Sequence, residues 1–247
     1  MNLDFFNTRR TVRSFSPEVP SRHDICAMIE AAAHAPNTGN MQNVAAIVTS
    51  DSEIRRQLSP LHFGQPCVCN APYVITFCAD FNRFEQWCSL RDANPGFNNL
   101  QSLLAAIVDA SIFAQQFCTI AEMNGLGGVF LGTTLYNAEQ IARVLELPDK
   151  VIPVITLAVG VPASDAPQGP TERLPLRSVL HLDKYQPFDN NDIESLYATL
   201  EAAESSHKFI AENNKKTLAQ VFTDVRYPRD SAEAFSETLK AFIKNYL

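Results

Sequence analysis

Three guanidinium groups crowd into five residues at Arg9-Arg10-Thr11-Val12-Arg13 of a chain whose overall charge is acidic. With the Thr11 hydroxyl they offer a forked, charge-assisted grip on a phosphate, against the plainer alternative of a solvated basic turn. A second polar group, Asn37-Thr38-Gly39-Asn40-Met41-Gln42, concentrates small and amide side chains that equally make an ordinary helix-to-strand loop. The run Gly125-Leu-Gly127-Gly128-Val-Phe-Leu-Gly132 invites a dinucleotide reading, but such a glycine turn follows a strand and opens a helix. Here a helix precedes the glycines and a strand follows, so a helix C-cap at Gly125 or Gly127 is favoured. Gly132 is different, because a glycine just past a strand lets backbone approach a flat ligand closely.

Metal and covalent chemistry find little support. Cys26, Cys67, Cys69, Cys78, Cys88 and Cys118 form no Cys-x-x-Cys pair, and His23, His34, His62, His181 and His207 show no ligand spacing. We expect reduced thiols and no metal, and no Ser/His/Asp or Cys/His nucleophile pattern stands out.

The elements that must position these residues follow from periodicity and capping. Ser21 opens a helix reaching about His34, with Ile25, Met28, Ile29, Ala32 and Ala33 on one face. Val44 to Thr49 reads as a strand, and Ser50-Asp51-Ser52 caps a helix carrying Ile54 and Leu58. Tyr73 to Ala79, Gly128 to Leu131 and Val154 to Val159 read as further strands. Leu103 to Met123 is apolar on nearly every face, with Asp109 its only charge before Glu122, which predicts burial all round in a core or a subunit interface. Helices are also expected over Ala138 to Leu147, Asn191 to about Ser206, and Ser231 to Tyr246. Ser164 to Pro170 is the one candidate linker, and the chain beyond about Phe188 reads as an appended helical segment too short to build a core alone.

Composition narrows the function classes. A chain of 247 residues with 46% hydrophobic and 19% charged residues has material for a sizeable core. Its net charge of −7 argues against nonspecific nucleic-acid binding. No uninterrupted apolar run approaches the ~18 residues of a membrane span, and the amino terminus lacks the pattern of a signal peptide, so no membrane partner and a cytoplasmic location are expected.

The order of these segments carries more than each alone. Arg-Arg-Thr-Val-Arg-Ser-Phe, a helix ending in Ala-Ala-x-x-Ala-Pro, and Asn-Thr-Gly-Asn-Met-Gln before a strand resemble the opening of the nitroreductase family of FMN-dependent oxidoreductases. Gly64-Gln65, the strand end Phe77-Cys78-Ala79-Asp80-Phe81-Asn82-Arg83, Asp109-Ala110, Ala121-Glu122, the glycine run to Gly132, Leu147-Pro148, Gly160-Val-Pro162, Arg173-Leu-Pro175 and His181 to Tyr185 extend it. They resemble the subgroup of larger NADPH-dependent nitro and flavin reductases over about residues 5 to 188.

The resemblance implies an α+β nitroreductase-like fold, a central mostly antiparallel sheet flanked by helices in an intertwined homodimer. It implies an FMN-binding core over residues 1–188, with 189–247 a C-terminal helical extension of the same domain. Arg9, Arg10, Thr11, Arg13 and Arg173 would hold the FMN phosphate and ribityl chain, while Asn37, Thr38, Asn40 and Gln42 would reach the flavin from the other subunit. Gln65 would bond the polar edge of the ring system, with the backbone of Leu131, Gly132 and Thr133 against its reactive centre. NADPH, or NADH, would give hydride and leave before a small-molecule acceptor, a nitroaromatic, quinone or free flavin, takes its place. No side chain is then needed as nucleophile or base. Lys208, Lys215 and Lys216 are the candidates for the extra nucleotide phosphate, and a solvated helix face is their plainer reading.

Two positions depart from the family pattern. Thr171-Glu172 precedes Arg173 where a cation and proline are expected, which predicts weaker hold on FMN, and Thr133 replaces a second glycine, which narrows the space over the flavin. A flavin store or sensor without turnover, or a more specialised flavin-dependent reductase, are the alternatives.

Overall fold

The computed structural model describes residues 3–96, 99–170 and 172–244. Two compact units are present, Met1–Gly169 with Ser236–Leu247, and Pro170–Phe235. The first holds α1 (Asp4–Asn7), α2 (Arg22–Ala32), a 3-10 turn at Thr38–Asn40, β1 (Val44–Thr49), α3 (Ser52–Leu61), α4 (Pro66–Asn70) and β2 (Tyr73–Asp80). It continues through α5 (Asn82–Ser89), α6 (Leu100–Met123), β3 (Gly127–Leu131), a 3-10 turn at Gly132–Asn137, α7 (Ala138–Val144) and β4 (Val151–Gly160). The second holds a 3-10 turn at Leu176–Ser178, α8 (Asn190–Ala202), α9 (Glu204–Glu212), α10 (Leu218–Gln220) and a π-turn at Val221–Arg226; α11 (Arg229–Lys244) begins in it and enters the first at Ser236.

The sheet order is β1-β2-β4-β3, and every neighbouring pair is antiparallel. β2 is buried at every position while β1 is half-buried along most of its length, as suits a central and an outer strand. Local signals start the helices as the sequence predicts. The Ser21 hydroxyl accepts from the Asp24 backbone N–H at 3.1 Å, and the Asp51 carboxylate accepts from the N–H groups of Glu53 and Ile54. The α6 helix ends at Asn124, after which Gly125 takes φ +79°, and Leu126 N–H donates to Ala121 O at 3.0 Å. Gly125 is therefore the terminator, and Gly127 belongs to β3.

One expectation is corrected. The single helix read over Asn191 to Ser206 is broken at Ala203, whose ψ of 137° is extended, giving α8 and α9. Ala203 is a helix-forming residue type, so propensity hides a break that packing imposes, with Leu196 buried on α8 and Ser206 on α9. The α6 helix, expected to be buried in a core or a subunit interface, is buried on one face within the single chain. Leu103, Ala110, Phe113, Ala114, Phe117 and Ala121 are buried, but Leu104 and Val108 are 53% and 55% exposed, and Leu100 and Ile112 continue that open stripe. Its 24 residues are long and apolar enough to cross a membrane by length and composition alone, although Asp109, Ser111, Gln115, Gln116 and Thr119 make it a poor span. One face packs on the sheet instead.

The core forms where α2 and α6 cover β2 and β4. Phe77 of β2 meets Phe113 edge-on with ring centroids 5.2 Å apart and Phe117 at 5.9 Å, among Ile25, Ile75 and Leu157. A second cluster joins Ile152, Val154, Leu103 and Phe242 from α11. Phe117→Ala leaves a hole at a fully buried site and should lower stability by about 3–5 kcal/mol, read as a shift in the urea unfolding midpoint with unchanged slope.

Candidate functional site

The basic segment lies along the outer side of β3. Val12 N–H donates to Gly128 O at 3.0 Å, Ser16 N–H to Val161 O at 2.8 Å, and Ala163 N–H to Ser14 O at 3.1 Å. This docking needs Gly127, where an added Cβ would lie 2.5 Å from Val12 Cγ2, so any side chain would push the segment off the strand. The guanidinium groups consequently sit near the start of β3. Arg9 Nε pairs with Glu122 at 3.2 Å, and Arg9 Nη1 donates to Thr11 Oγ1 at 3.5 Å. Arg10 Nε is buried without a hydrogen-bond partner among the described residues. Arg9, Arg10, Glu122, Gly125 and Gly127 line a cavity of about 260 Å³. Burial raises the Glu122 carboxyl above its usual range, opposed by the Arg9 charge, and burial pushes the neighbouring Cys118 thiol up to about 11. Arg13 is exposed, and its charge opposes the burial that raises the Cys67 thiol.

The far end of β3 is built by two loops. Gly132 follows the strand with open space where a Cβ would stand. Thr133 Oγ1 lies 2.8 Å from His62 Nδ1, Asn137 Nδ2 donates to Leu61 O at 2.7 Å, and Gln65 Nε2 donates to His62 O at 3.2 Å. The departure at Thr133 thus has a structural consequence: its hydroxyl ties the turn after β3 to the loop that carries Gln65. His62 is fully buried, and burial lowers its pKa to about 4, so the ring is neutral near pH 7.

The Asn37 to Gln42 loop is positioned independently. Thr38 donates both its N–H and its hydroxyl to the buried Asp109 carboxylate, at 3.0 to 3.1 Å. Gln42 N–H donates to Asn37 Oδ1 at 3.1 Å, and Gln42 Nε2 to Asn40 Oδ1 at 3.3 Å. The Arg83 guanidinium donates to the Gln42 carbonyl. A cavity of about 360 Å³ lined by Asn37, Gln42, Arg83, Asp109 and Phe113 opens beside the loop. This loop leads into β1, whereas the arginines flank β3, so the two groups stand at opposite edges of the sheet.

The remaining candidates lie in the Pro170–Phe235 unit. Arg173 Nη1 donates to Glu172 O at 3.3 Å, Lys215 pairs with Asp224 at 3.0 Å, and Lys208 stands 3.8 Å from Glu212. Lys216 is exposed, and Thr171 lies outside the described residues. Sequence reasoning missed the roles of His62, Arg83 and Asp109. Asp109 had a visible signal, a lone charge in an apolar helix; His62 had none.

Comparison with known proteins places this geometry. Residues 7–161 match the model of the Nitroreductase family. The chain is 37% identical over 180 residues to an oxygen-insensitive NADPH nitroreductase of Salmonella typhimurium, covering 73% of this chain and 72% of the relative. It is 31% identical over 229 residues to an FMN reductase [NAD(P)H] of Bacillus subtilis, covering 89% and 90%. A solved Bacteroides fragilis structure superimposes with a TM-score of 0.95 at 42% identity, covering 98% of both chains.

The buried neutral His62 predicts an acid-sensitive fold. Its folded pKa lies below its unfolded value of about 6.5, so its contribution is complete above that value and lost as pH falls from there towards 4. From pH 7 to pH 5 this one group should cost about 2 kcal/mol of stability. His62→Gln should lose correspondingly less over the same interval, measured by urea titration at both pH values; equal losses in the two proteins would refute the assignment.

Proposed function

Because the chain belongs to the nitroreductase family, we propose that it is an FMN-dependent oxidoreductase that uses NAD(P)H, NADPH preferentially, to reduce nitroaromatics, quinones or free flavin. One observation carries the site assignment: β3 has unsatisfied cationic chemistry at its start and open backbone with an amide at its end. The strand rises about 14 Å between its first and last residue, so a ligand with an anionic tail and a flat polar head can run alongside it.

The residues fit FMN. Arg10 Nε, buried and without a partner, suits a phosphate oxygen, and the exposed Arg13 adds a second charge-assisted bond. Arg9, engaged with Glu122, serves more as a support for the segment than as a full phosphate ligand. Gln65, held by the His62 carbonyl, presents an amide to the polar edge of the ring system, and Gly132 leaves its reactive face uncovered. FMN held there would supply the two-electron redox chemistry between the nicotinamide and the acceptor. The protein's task is to bind, orient and leave one face open. Within the other unit, Arg173 is proposed to add to the phosphate grip. Lys216, with its neighbour Lys215 and with Lys208 of α9, is proposed to meet the extra phosphate of NADPH.

The opposite-edge placement also argues for a homodimer. Asn37, Thr38, Asn40 and Gln42 stand at the β1 edge, across the sheet from the arginines, so a second copy is needed to bring both groups to one flavin. The open apolar stripe of α6, Leu100, Leu104, Val108 and Ile112, is the surface such a copy would cover. We propose a soluble enzyme, since the one described helix long and apolar enough to cross a membrane packs a face on the sheet.

Purified protein should be yellow, and Arg10→Ala or Arg13→Ala should weaken FMN binding by about ten- to a hundredfold, measured by flavin fluorescence titration. Protein that takes up no FMN from excess would sink the reading. For the dimer, Phe113 and Phe117 are unsuitable probes, since both belong to the core of the single chain. Leu104→Lys with Val108→Lys should instead give a monomer by sedimentation, with FMN lost as the dimer dissociates; a stable dimer would contradict the assigned interface.

A further inference from the structure

Phe63 holds a conformation that its own chemistry disfavours. Its φ of +58° lies in the left-handed region, where a bulky side chain is an outlier, and the residue is 55% exposed, so core burial does not compensate. Its ring stacks on Tyr136, with centroids 5.9 Å apart and an interplanar angle of 26°. Phe63 immediately precedes Gly64-Gln65, and Tyr136 lies in the Gly132–Asn137 turn after β3. Two hydrogen bonds bind these loops together, His62 with Thr133 and Asn137 with Leu61, and a third, Gln65 with His62, closes the first loop on itself. Phe63 is the left-handed residue that ends α3: its N–H donates to Pro60 O at 3.0 Å and the Gly64 N–H to Ser59 O at 2.9 Å, a capping arrangement that usually takes glycine. The cap fixes the backbone, and the position turns the ring outwards.

We propose that Phe63 and Tyr136 form an aromatic wall at the mouth of the site that selects flat aromatic electron acceptors over compact ones without a ring. The proposal rests on the functional reading above, which places the cofactor ring between Gln65 and Gly132. An acceptor lying on that ring meets the wall at its edge. Aromatic rings prefer offset or edge-on partners at the spacing this pair already shows, so a third ring gains from it and a ringless acceptor does not. Neither residue was signalled by the sequence, because the juxtaposition depends on a contact between loops about seventy positions apart.

The test compares two acceptors at saturating NADPH. With a nitroaromatic the balanced reaction is ArNO₂ + NADPH + H⁺ → ArNO + NADP⁺ + H₂O, two electrons passing to the nitro group and one oxygen leaving as water. Ferricyanide serves as the ringless acceptor. Phe63→Gly suits the left-handed backbone and keeps the fold, so a changed selectivity cannot be ascribed to unfolding. In Phe63→Gly and in Tyr136→Leu, the ratio of kcat/KM for the nitroaromatic to that for ferricyanide should fall about three- to tenfold. Tyr136→Phe, which keeps the ring, should retain the wild-type ratio. FMN-loaded variants with an unchanged ratio would overturn this proposal alone. Wild-type protein that binds no FMN would overturn the functional reading and the proposal with it.

Discussion

The site depends first on the docking of an amino-terminal segment against the outer strand of a four-stranded sheet. The Val12 to Gly128 hydrogen bond and the close approach over Gly127 hold the segment along β3. Without that contact the three arginines would be a solvated basic turn. With it, Arg9 is drawn onto Glu122, and Arg10, half-buried as a residue, has its Nε buried without a partner among the described residues. A buried guanidinium nitrogen without a partner is costly, and a phosphate oxygen is the partner whose charge and geometry would remove that cost.

Around this docking, a few buried polar contacts define loops that would otherwise be free to move. Asp109 accepts from both the backbone and the hydroxyl of Thr38, and the neutral His62 joins Thr133. In a low-dielectric interior such bonds are strong when made and expensive when broken, so they select one loop geometry. Both lie between elements distant in sequence. They convert turns of ordinary composition into fixed side-chain and backbone groups, while at Phe63 the capping bonds that end α3 set the left-handed backbone.

The proposed function adds one requirement that a single chain does not meet. The amide loop and the arginines occupy opposite edges of the sheet, and the long central helix turns Leu104 and Val108 outwards. An exposed apolar stripe on a helix whose other face forms the core is the physical basis for the proposed second copy. The two faces of α6 thus have different tasks: Phe113 and Phe117 stabilise the subunit, while the open stripe is available to a partner.

What the sequence by itself determined were the features set by local chemistry and pattern. Ser21 and Asp51 start their helices because a side-chain oxygen satisfies nearby N–H groups, and alternating or continuous apolar runs mark all four strands. The motif order also sufficed to place the chain in its family. Three things were decided only by the tertiary structure. The break at Ala203 is invisible to propensity because alanine favours helix on either side. The choice of which α6 face stays open is hidden in a helix that is apolar all round. The meeting of His62 with Thr133 and of Phe63 with Tyr136 requires two loops to be folded against each other. Periodicity and capping act over a few residues, whereas these contacts exist only once antiparallel strands have brought distant segments together.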